Sequence, residues 1–275
     1  MGSGSSIMDL ALFKRKFNFE MQHGRYLLKT LENAEELKAA FRLRYKVFQV
    51  EMIGLEDNDF EDHDAYDFDA DHLGIFDAKS GFLIATCRLN HSDFCKSFYS
   101  EQEFTIQPML ENNLRKLELG RVCVHNDYRK GIIIILLWRA IAKYIEISKS
   151  DILFGCGSVS TEDPEKAYLL YRYLLENNKI RPQAGVEPTE KYKSPDFERL
   201  HLSSDLSVSA SEAKEAEALL PPLCRSYFDI GCFVPTKPAF DADFKCIDFL
   251  TVLNIPELDP QIKKKLFGDV GALAL

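Results

Sequence analysis

The run Leu117-Glu118-Leu119-Gly120-Arg121-Val122-Cys123-Val124-His125 places an acid, a glycine and a base on one short segment. Asn126-Asp127-Tyr128-Arg129-Lys130-Gly131 follows as a polar turn, and an apolar run from Ile132 to Trp138 comes directly after it. Alternate residues of a strand share a face. Glu118, Gly120, Val122 and Val124 are therefore expected on one side, and Leu119, Arg121, Cys123 and His125 on the other. Gly120 leaves room for a ligand beside the Glu118 carboxylate. A carboxylate held partly out of water suits the removal of a proton from an amine nucleophile. The turn at Arg129, Lys130 and Gly131 opens a helix, whose first N–H groups and positive dipole end suit a phosphate. This layout could hold a phosphate-bearing acyl carrier beside a general base. On spacing alone, a structural Glu–Arg pair and an ordinary basic turn are the plainer readings.

Arg44 adds a second pointer. Leu37, Phe41, Arg44 and Phe48 fall at i, i+4, i+7 and i+11, one face of a helix. An arginine inside an apolar stripe must be paired or meet a ligand, because an unpaired buried charge is costly. Asp64, Asp67 and Glu118 are the natural partners, and a buried structural ion pair is about as good a reading as a catalytic one. The acidic loop from Glu56 to Asp71 lacks the register of a calcium loop, and no His-x-x-x-His pair suggests zinc, so no metal is expected. No Gly-x-Ser-x-Gly elbow is present, and Cys123 and Cys156 sit in apolar strand contexts that favour packing over nucleophilic chemistry.

The elements that must position these residues read as follows. Arg25 to Thr30 is a strand. Asn33 caps a helix, with Glu36 at the capping-box position. His72 to Phe76 and Phe82 to Leu89 form an antiparallel pair around the turn at residues 78–81. Asn90 to Arg115 is an irregular connection. Leu117 to His125 is a strand, Gly131 to Ser148 an apolar helix, and Asp151 to Cys156 a strand expected to lie parallel to Leu117–His125. Asp163-Pro164 opens a helix through Leu175. Residues 177–206 are a long loop, Ser209 to Leu220 a helix, Ser226 to Val234 and Cys246 to Leu253 two strands, and a short helix lies beyond Pro256. The order implies an α/β fold with a central mixed, twisted sheet flanked by helices and an insertion at about 177–220 before the last two strands. Residues 1–20 form a linker and N-terminal arm, with Met1 to Ser6 resembling an expression linker and Met8 a natural start, and 21–275 a single domain.

The chain has 275 residues, 46% of them hydrophobic and 28% charged, and a formal net charge of −9. That is a globular composition with no affinity for nucleic acid to be expected. Seven scattered cysteines read as reduced thiols in a cytoplasmic protein. No apolar run approaches the roughly 20 residues of a membrane span. Lys14-Arg15-Lys16 and Lys263-Lys264-Lys265 leave peripheral membrane association open, with solvated lysines the plainer reading.

Several stretches together resemble one family. Leu117–Gly131 is similar to the central strand and carrier-binding turn of the GNAT acyltransferase superfamily, and most of all to bacterial ornithine lipid synthases. Arg42-Leu43-Arg44-Tyr45-Lys46-Val47-Phe48 resembles that family's opening helix motif. Asp69-Ala70-Asp71-His72-Leu73, Phe98-Tyr99-Ser100, Leu153-Phe154-Gly155-Cys156, Pro221-Pro222-Leu223 and Asp243-Phe244 with Asp248 fit the same pattern. Acyl-homoserine lactone synthases look like more distant relatives, on Arg44 with Phe48, Asp64 with Asp67, Arg88, and Glu118 with Arg121. Gly54 stands where those synthases carry a tryptophan, which argues against that product.

The resemblance implies a GNAT-like acyl-CoA N-acyltransferase fold and an N-acyltransferase that moves a long-chain, 3-hydroxy fatty acyl group to the α-amine of an amino acid, ornithine first. Glu118 would be the base and the backbone of Cys123 and Val124 would polarise the thioester. Arg44, Asp67 and Arg121 would form a charge network, Arg88 and Asp64 would bound the acceptor side, and His72 would orient the loop. Phe48 and Phe98 could line an acyl tunnel, with core packing the safer reading. The turn departs from acetyl-CoA-dependent relatives: after Gly131 come Ile132, Ile133 and Ile134 where small residues let backbone approach a pyrophosphate. That departure favours the phosphopantetheine arm of acyl carrier protein as donor, with no cofactor bound. Arg129, Lys130, Arg139 and Lys143 are candidates for docking the acidic carrier. Two other readings remain: a signal synthase making an N-acyl homoserine lactone or N-acyl amino acid, and a non-catalytic acyl- or lipid-binding module.

Overall fold

The structure, a computed structural model, describes residues 13–58, 60–129, 131–202 and 206–268. The linker reading at Met1 to Ser6, Met8, Lys130 and the end of the tail lie outside the described residues. In chain order the strands are β1 Glu20–His23, β2 Tyr26–Thr30, β3 Asp71–Asp77, β4 Leu83–His91, β5 Phe104–Thr105, β6 Lys116–Val124, β7 Ile152–Val159, β8 Glu187–Pro188, β9 Ala239–Asp241 and β10 Cys246–Asn254. The helices are α1 Ala34–Arg44, α2 Gln107–Leu110, α3 Ile133–Ser148, α4 Pro164–Glu176, α5 Pro195–Leu202, α6 Ala210–Leu219, α7 Pro222–Asp229 and α8 Pro260–Phe267. The chain is thus α/β and forms two compact units.

The first unit takes in the described residues of Met1–Phe98, Arg115–Asp151 and Lys263–Leu275. Its strands run antiparallel in the order β1-β2-β3-β4-β6. Every residue of β3 and β4 is buried, as expected of strands covered on both faces. On one face lies α1, with Leu37, Ala40, Phe41 and Leu43 packed against Leu31, Phe76, Leu83 and Cys123. Asn33 caps α1 by accepting from the Glu36 N–H at 3.0 Å, while the Glu36 carboxylate reaches back to the Glu32 N–H rather than to Asn33. Past Arg44 the helix widens into a π-helical stretch, Tyr45–Ile53, closed by Gly54 at φ +86°. Toward the other face, the buried Tyr144 hydroxyl of α3 donates to Asp71 of β3 at 2.9 Å.

The second unit comprises Tyr99–Leu114 and Ile152–Ile262. It holds the antiparallel strands β7-β10-β9 and a small β5–β8 pair. Asp163 caps α4 at the Glu165 N–H, 2.9 Å, and Ser209 and Glu212 form a reciprocal capping box on α6. The stretch read as a loop at residues 177–206 contains β8 and α5, and the irregular connection before β6 contains α2 and β5.

One expected strand is overturned. Residues 226–234 begin inside α7 rather than in a strand. Pro222 sits at the first turn, where its missing N–H costs nothing, and Cys224, Tyr227 and Phe228 bury one helical face at i, i+3 and i+4. Aromatic content made the segment look extended; the proline and the spacing decide for helix. The last two strands of the chain are β9 and β10. Strand β1 was not expected; four residues with a glycine turn carry too little pattern to read. All seven cysteines are free, and no helix among the described residues is long and apolar enough to cross a membrane.

Candidate active site

The pairing of β4 with β6 changes how the central strand presents its side chains. Arg88 opposes Gly120 and Asn90 opposes Glu118, but Thr86 opposes Cys123, one residue out of step. A bulge therefore lies between Gly120 and Cys123, and within it Arg121 adopts φ +50°, a left-handed conformation uncommon for a residue with a Cβ. The strict alternation expected from sequence fails at this point. Glu118, Gly120 and Cys123 share the face that carries α1, and the Arg121 side chain joins that side instead of pointing away from it. The extra residue is the physical reason, since it shifts the phase of every side chain beyond it.

Around Arg121 the structure assembles three arginines and three aspartates. Arg44, fully buried at the end of α1, donates to both Asp67 oxygens at 2.7 and 3.1 Å, and to Asp62 at 3.0 Å. Arg88 donates to Asp64 at 2.5 Å and Asp67 at 3.3 Å. Arg121 donates to Asp64 at 3.0 Å, and its Nε lies 3.6 Å from Asp62. The loop is set for this by its own chain. Asp64 accepts from the Tyr66 N–H while Asp67 accepts from the Asp64 N–H, a capping box on the single turn Ala65–Asp67. The Arg44 guanidinium also sits over the Phe41 ring at 5.1 Å, and Arg121 over Phe48 at 6.0 Å.

Electrostatics follow from burial and pairing. Burial raises the Asp67 carboxyl, but Arg44 and Arg88 outweigh it and hold the group well below the usual range. Asp62 is held low in the same way, Arg44 and Arg121 overcoming burial. Burial disfavours the Arg88 charge, yet Asp67, Asp64 and then Glu118 raise it above its ordinary value. Burial pushes His72 down to about 4, Asp67 opposing only in part. His72 is therefore neutral near pH 7, and its 3.9 Å approach to Asp67 Oδ1 is no ion pair; its Nε2 donates to the Asp67 carbonyl at 3.4 Å. Three arginines face three aspartates here, and Glu118 adds a fourth carboxylate that acts on Arg88. Glu118 is 3% exposed and lies on the strand beside Gly120. The Arg88 guanidinium lies against β6 at Gly120, where a Cβ would meet its Nη2 at 3.6 Å, an ordinary van der Waals contact.

Beyond the bulge the backbone turns outward. His125 N–H donates to Ile84 O at 2.8 Å. Alternate N–H groups of an antiparallel ladder point to opposite sides, so the Val124 N–H is directed away from β4. The Val124 carbonyl, on the same side, accepts from Arg129 Nε at 3.1 Å. Arg129 also pairs with Glu51. Gly131 has φ +101°, and α3 begins at Ile133 without a side-chain cap on its first N–H groups. Cys123 is buried and its thiol is pushed by burial up to about 12, which removes it as a nucleophile. Phe48 packs against the α1 core and Phe98 is buried. A cleft of about 400 Å³ lined by Arg42, Tyr45, Lys46, Phe60, Phe82 and His125 lies at the end of α1 and does not include Glu118.

The structure thus brings Arg44, Asp64, Asp67, His72, Arg88 and Arg121 into one network and sets Glu118 beside it. Val124, Arg129 and Gly131 fall at the strand's far end. Two residues escaped the sequence reading. Asp62 was one acid among many in its loop. Asn90 falls at the start of the stretch read as an irregular connection, although Arg88 and Asn90 continue the alternation of β4. In the second unit Glu103, Asp241 and Asp248, from three distant segments, are buried with carboxylate oxygens within 4.8 Å of one another. Ser158 donates to Asp248 at 2.6 Å.

Comparison with known proteins adds to this geometry. Residues 43–139 match the Acetyltransferase (GNAT) domain. The chain is 30% identical over 257 residues to the L-ornithine N(alpha)-acyltransferase of Rhizobium meliloti, covering 87% of this chain and 83% of that protein. It is 29% identical over 245 residues to the enzyme of the same name from Rhodobacter capsulatus, covering 83% and 90%. Among solved structures, TofI in a ternary complex with an inhibitor and MTA is 13% identical and covers 90% of this chain and 98% of that one at a TM-score of 0.47, a likeness too loose to bear on function.

Proposed function

The chain belongs to the L-ornithine N(alpha)-acyltransferase family, and from that premise we propose that it moves a long-chain, 3-hydroxy fatty acyl group from acyl carrier protein to the α-amine of ornithine, giving a lyso-ornithine lipid. Acyl transfer is the activity of the family. The observation that carries the chemical reading is Glu118, a buried carboxylate on β6 beside the Arg–Asp network.

The amine attacks the thioester carbonyl directly. Its nitrogen forms the amide bond, its proton passes to Glu118, and the C–S bond breaks to release the phosphopantetheine sulfur as a thiolate, which takes a proton back from Glu118 or from water. The Val124 N–H, directed away from β4, would stabilise the oxyanion of the tetrahedral intermediate. Arg44 with Asp62 and Asp67 fixes α1 to the acidic loop, and Arg88 with Asp64 bounds the acceptor side. The uncapped start of α3 suits the single phosphate of phosphopantetheine, and the isoleucines from 132 on suit it better than the pyrophosphate of CoA. Of the expected docking cations, Arg129 is paired with Glu51 and Lys143 with Glu146, and Arg139 lies 3.1 Å from His23. The acidic carrier would therefore compete with partners already in place. Turnover inside the cell with peripheral contact to the membrane surface fits a lipid product.

The test is acylation of ornithine by purified protein supplied with 3-hydroxyacyl-loaded acyl carrier protein, read by product mass. Formation of lyso-ornithine lipid is expected. Efficient use of acetyl-CoA instead would overturn the donor assignment. A product with the mass of an N-acyl homoserine lactone, or bound lipid without turnover, would overturn the reaction.

A further inference from the structure

Asn90 is 1% exposed, and neither its Oδ1 nor its Nδ2 has a hydrogen-bond partner. Such a group is costly to keep, because its carboxamide has given up water and received nothing in exchange. Its position is not arbitrary. It lies two residues from Arg88 on the same face of β4 and directly opposes Glu118 across the ladder. Directly opposed residues hold their Cβ atoms about 5 Å apart. A donor and an acceptor without partners therefore stand beside the base that takes the amine proton.

We infer that Asn90 is the residue that recognises the α-amino acid grouping of the acceptor, its carboxamide oxygen accepting from the amine and its carboxamide nitrogen donating to the adjacent carboxylate. The match is one of shape and chemistry. A carboxamide presents an acceptor and a donor side by side, and an α-amino acid presents an amine and a carboxylate on one carbon. Ornithine carries a second amine at the far end of its side chain, where no carboxylate is near. Only the α-amine satisfies both halves of the amide, so Asn90 would select which nitrogen is presented to Glu118. Both orphaned atoms then gain partners in the complex, and the cost they impose on the free protein is recovered as specificity.

The inference rests on ornithine being the acceptor. The experiment compares wild type, Asn90→Leu and Asn90→Asp with ornithine and with 1,4-diaminobutane, which is ornithine without its carboxylate. Leucine keeps the volume and removes the orphaned groups, so Asn90→Leu is expected to melt no lower than wild type while its KM for ornithine rises about 10–100-fold, the worth of one or two charge-assisted hydrogen bonds. Its preference for ornithine over the diamine should shrink by a similar factor, and δ-acylated product should appear. Asn90→Asp keeps the acceptor oxygen and loses the donor, and should favour the diamine. Unchanged KM, acceptor preference and α-to-δ product ratio in both variants would overturn the inference, as would loss of stability in Asn90→Leu with normal kinetics. Failure of the wild type to acylate ornithine at all would instead overturn the functional reading beneath it.

Discussion

Arg44 shows how far a single residue can be read. Its place in an apolar stripe announced a buried charge, and the structure answers with bidentate contact to Asp67 and a further bond to Asp62. Removing one partner of such a set leaves the others charged and dry, so Arg44→Leu should destabilise the fold by about 3–5 kcal/mol, measured by urea unfolding. Arg44→Lys should recover little, because one ammonium cannot reproduce the fork. His72 predicts a pH dependence. Its folded value near 4 lies below the ordinary 6.5, so the unfolded chain binds the extra proton between those values. Stability is complete above about pH 6.5 and falls as pH drops toward 4, by about 3 kcal/mol for this group. Asp62 and Asp67, also held low, add losses only below their ordinary value of 3.8. His72→Gln should flatten the upper window and leave the lower one in place, followed by thermal melts from pH 8 to about 2.5. Asp62 and Asn90 were hidden in the sequence because one acid in an acidic run, or one asparagine at a strand end, carries no periodic signal.

At the scale of elements, most of what positions the site was legible. The cap at Asn33, the β3–β4 hairpin, the cap and proline opening α4 and the Ser209 start of α6 all rest on local chemistry that sequence states directly. The bulge in β6 was not legible, because an extra residue in a strand is decided by its partner's register. It is nonetheless the element that converts an acid and a base expected on opposite faces into one cluster. Arg121 at φ +50° holds two contributions that can be separated. Arg121→Ala loses the Asp64 pair and keeps the strained backbone, whereas Arg121→Gly loses the pair and relieves it. The glycine variant should be the more stable of the two by about 1 kcal/mol, read by chemical denaturation, and both should turn over poorly. A glycine variant less stable than alanine would mean that the bulge is not strained. Residues 226–234 failed for a different reason: short aromatic-rich segments fit both periods, and only Pro222 at the first turn distinguished them.

At the scale of the molecule, family and fold were recoverable because motifs spread along the chain agree with one another, whereas partners must be inferred from surface chemistry. If an acidic carrier docks on cations that already have intramolecular partners, its attraction is long-range and screened. KM for acyl-loaded carrier should then rise several-fold as ionic strength goes from about 0.02 to 0.3 M, while KM for ornithine moves less; equal responses would point away from electrostatic docking. The whole arrangement converges on one proton transfer. The most direct test is Glu118→Gln, which keeps shape and removes the base, compared with wild type for lyso-ornithine lipid formation at matched folded fraction. Turnover is expected to fall by about 10²–10⁴-fold with the melting temperature little changed. Turnover equal to wild type would contradict the account, because the Glu118 carboxylate beside the network would then have no part in the chemistry.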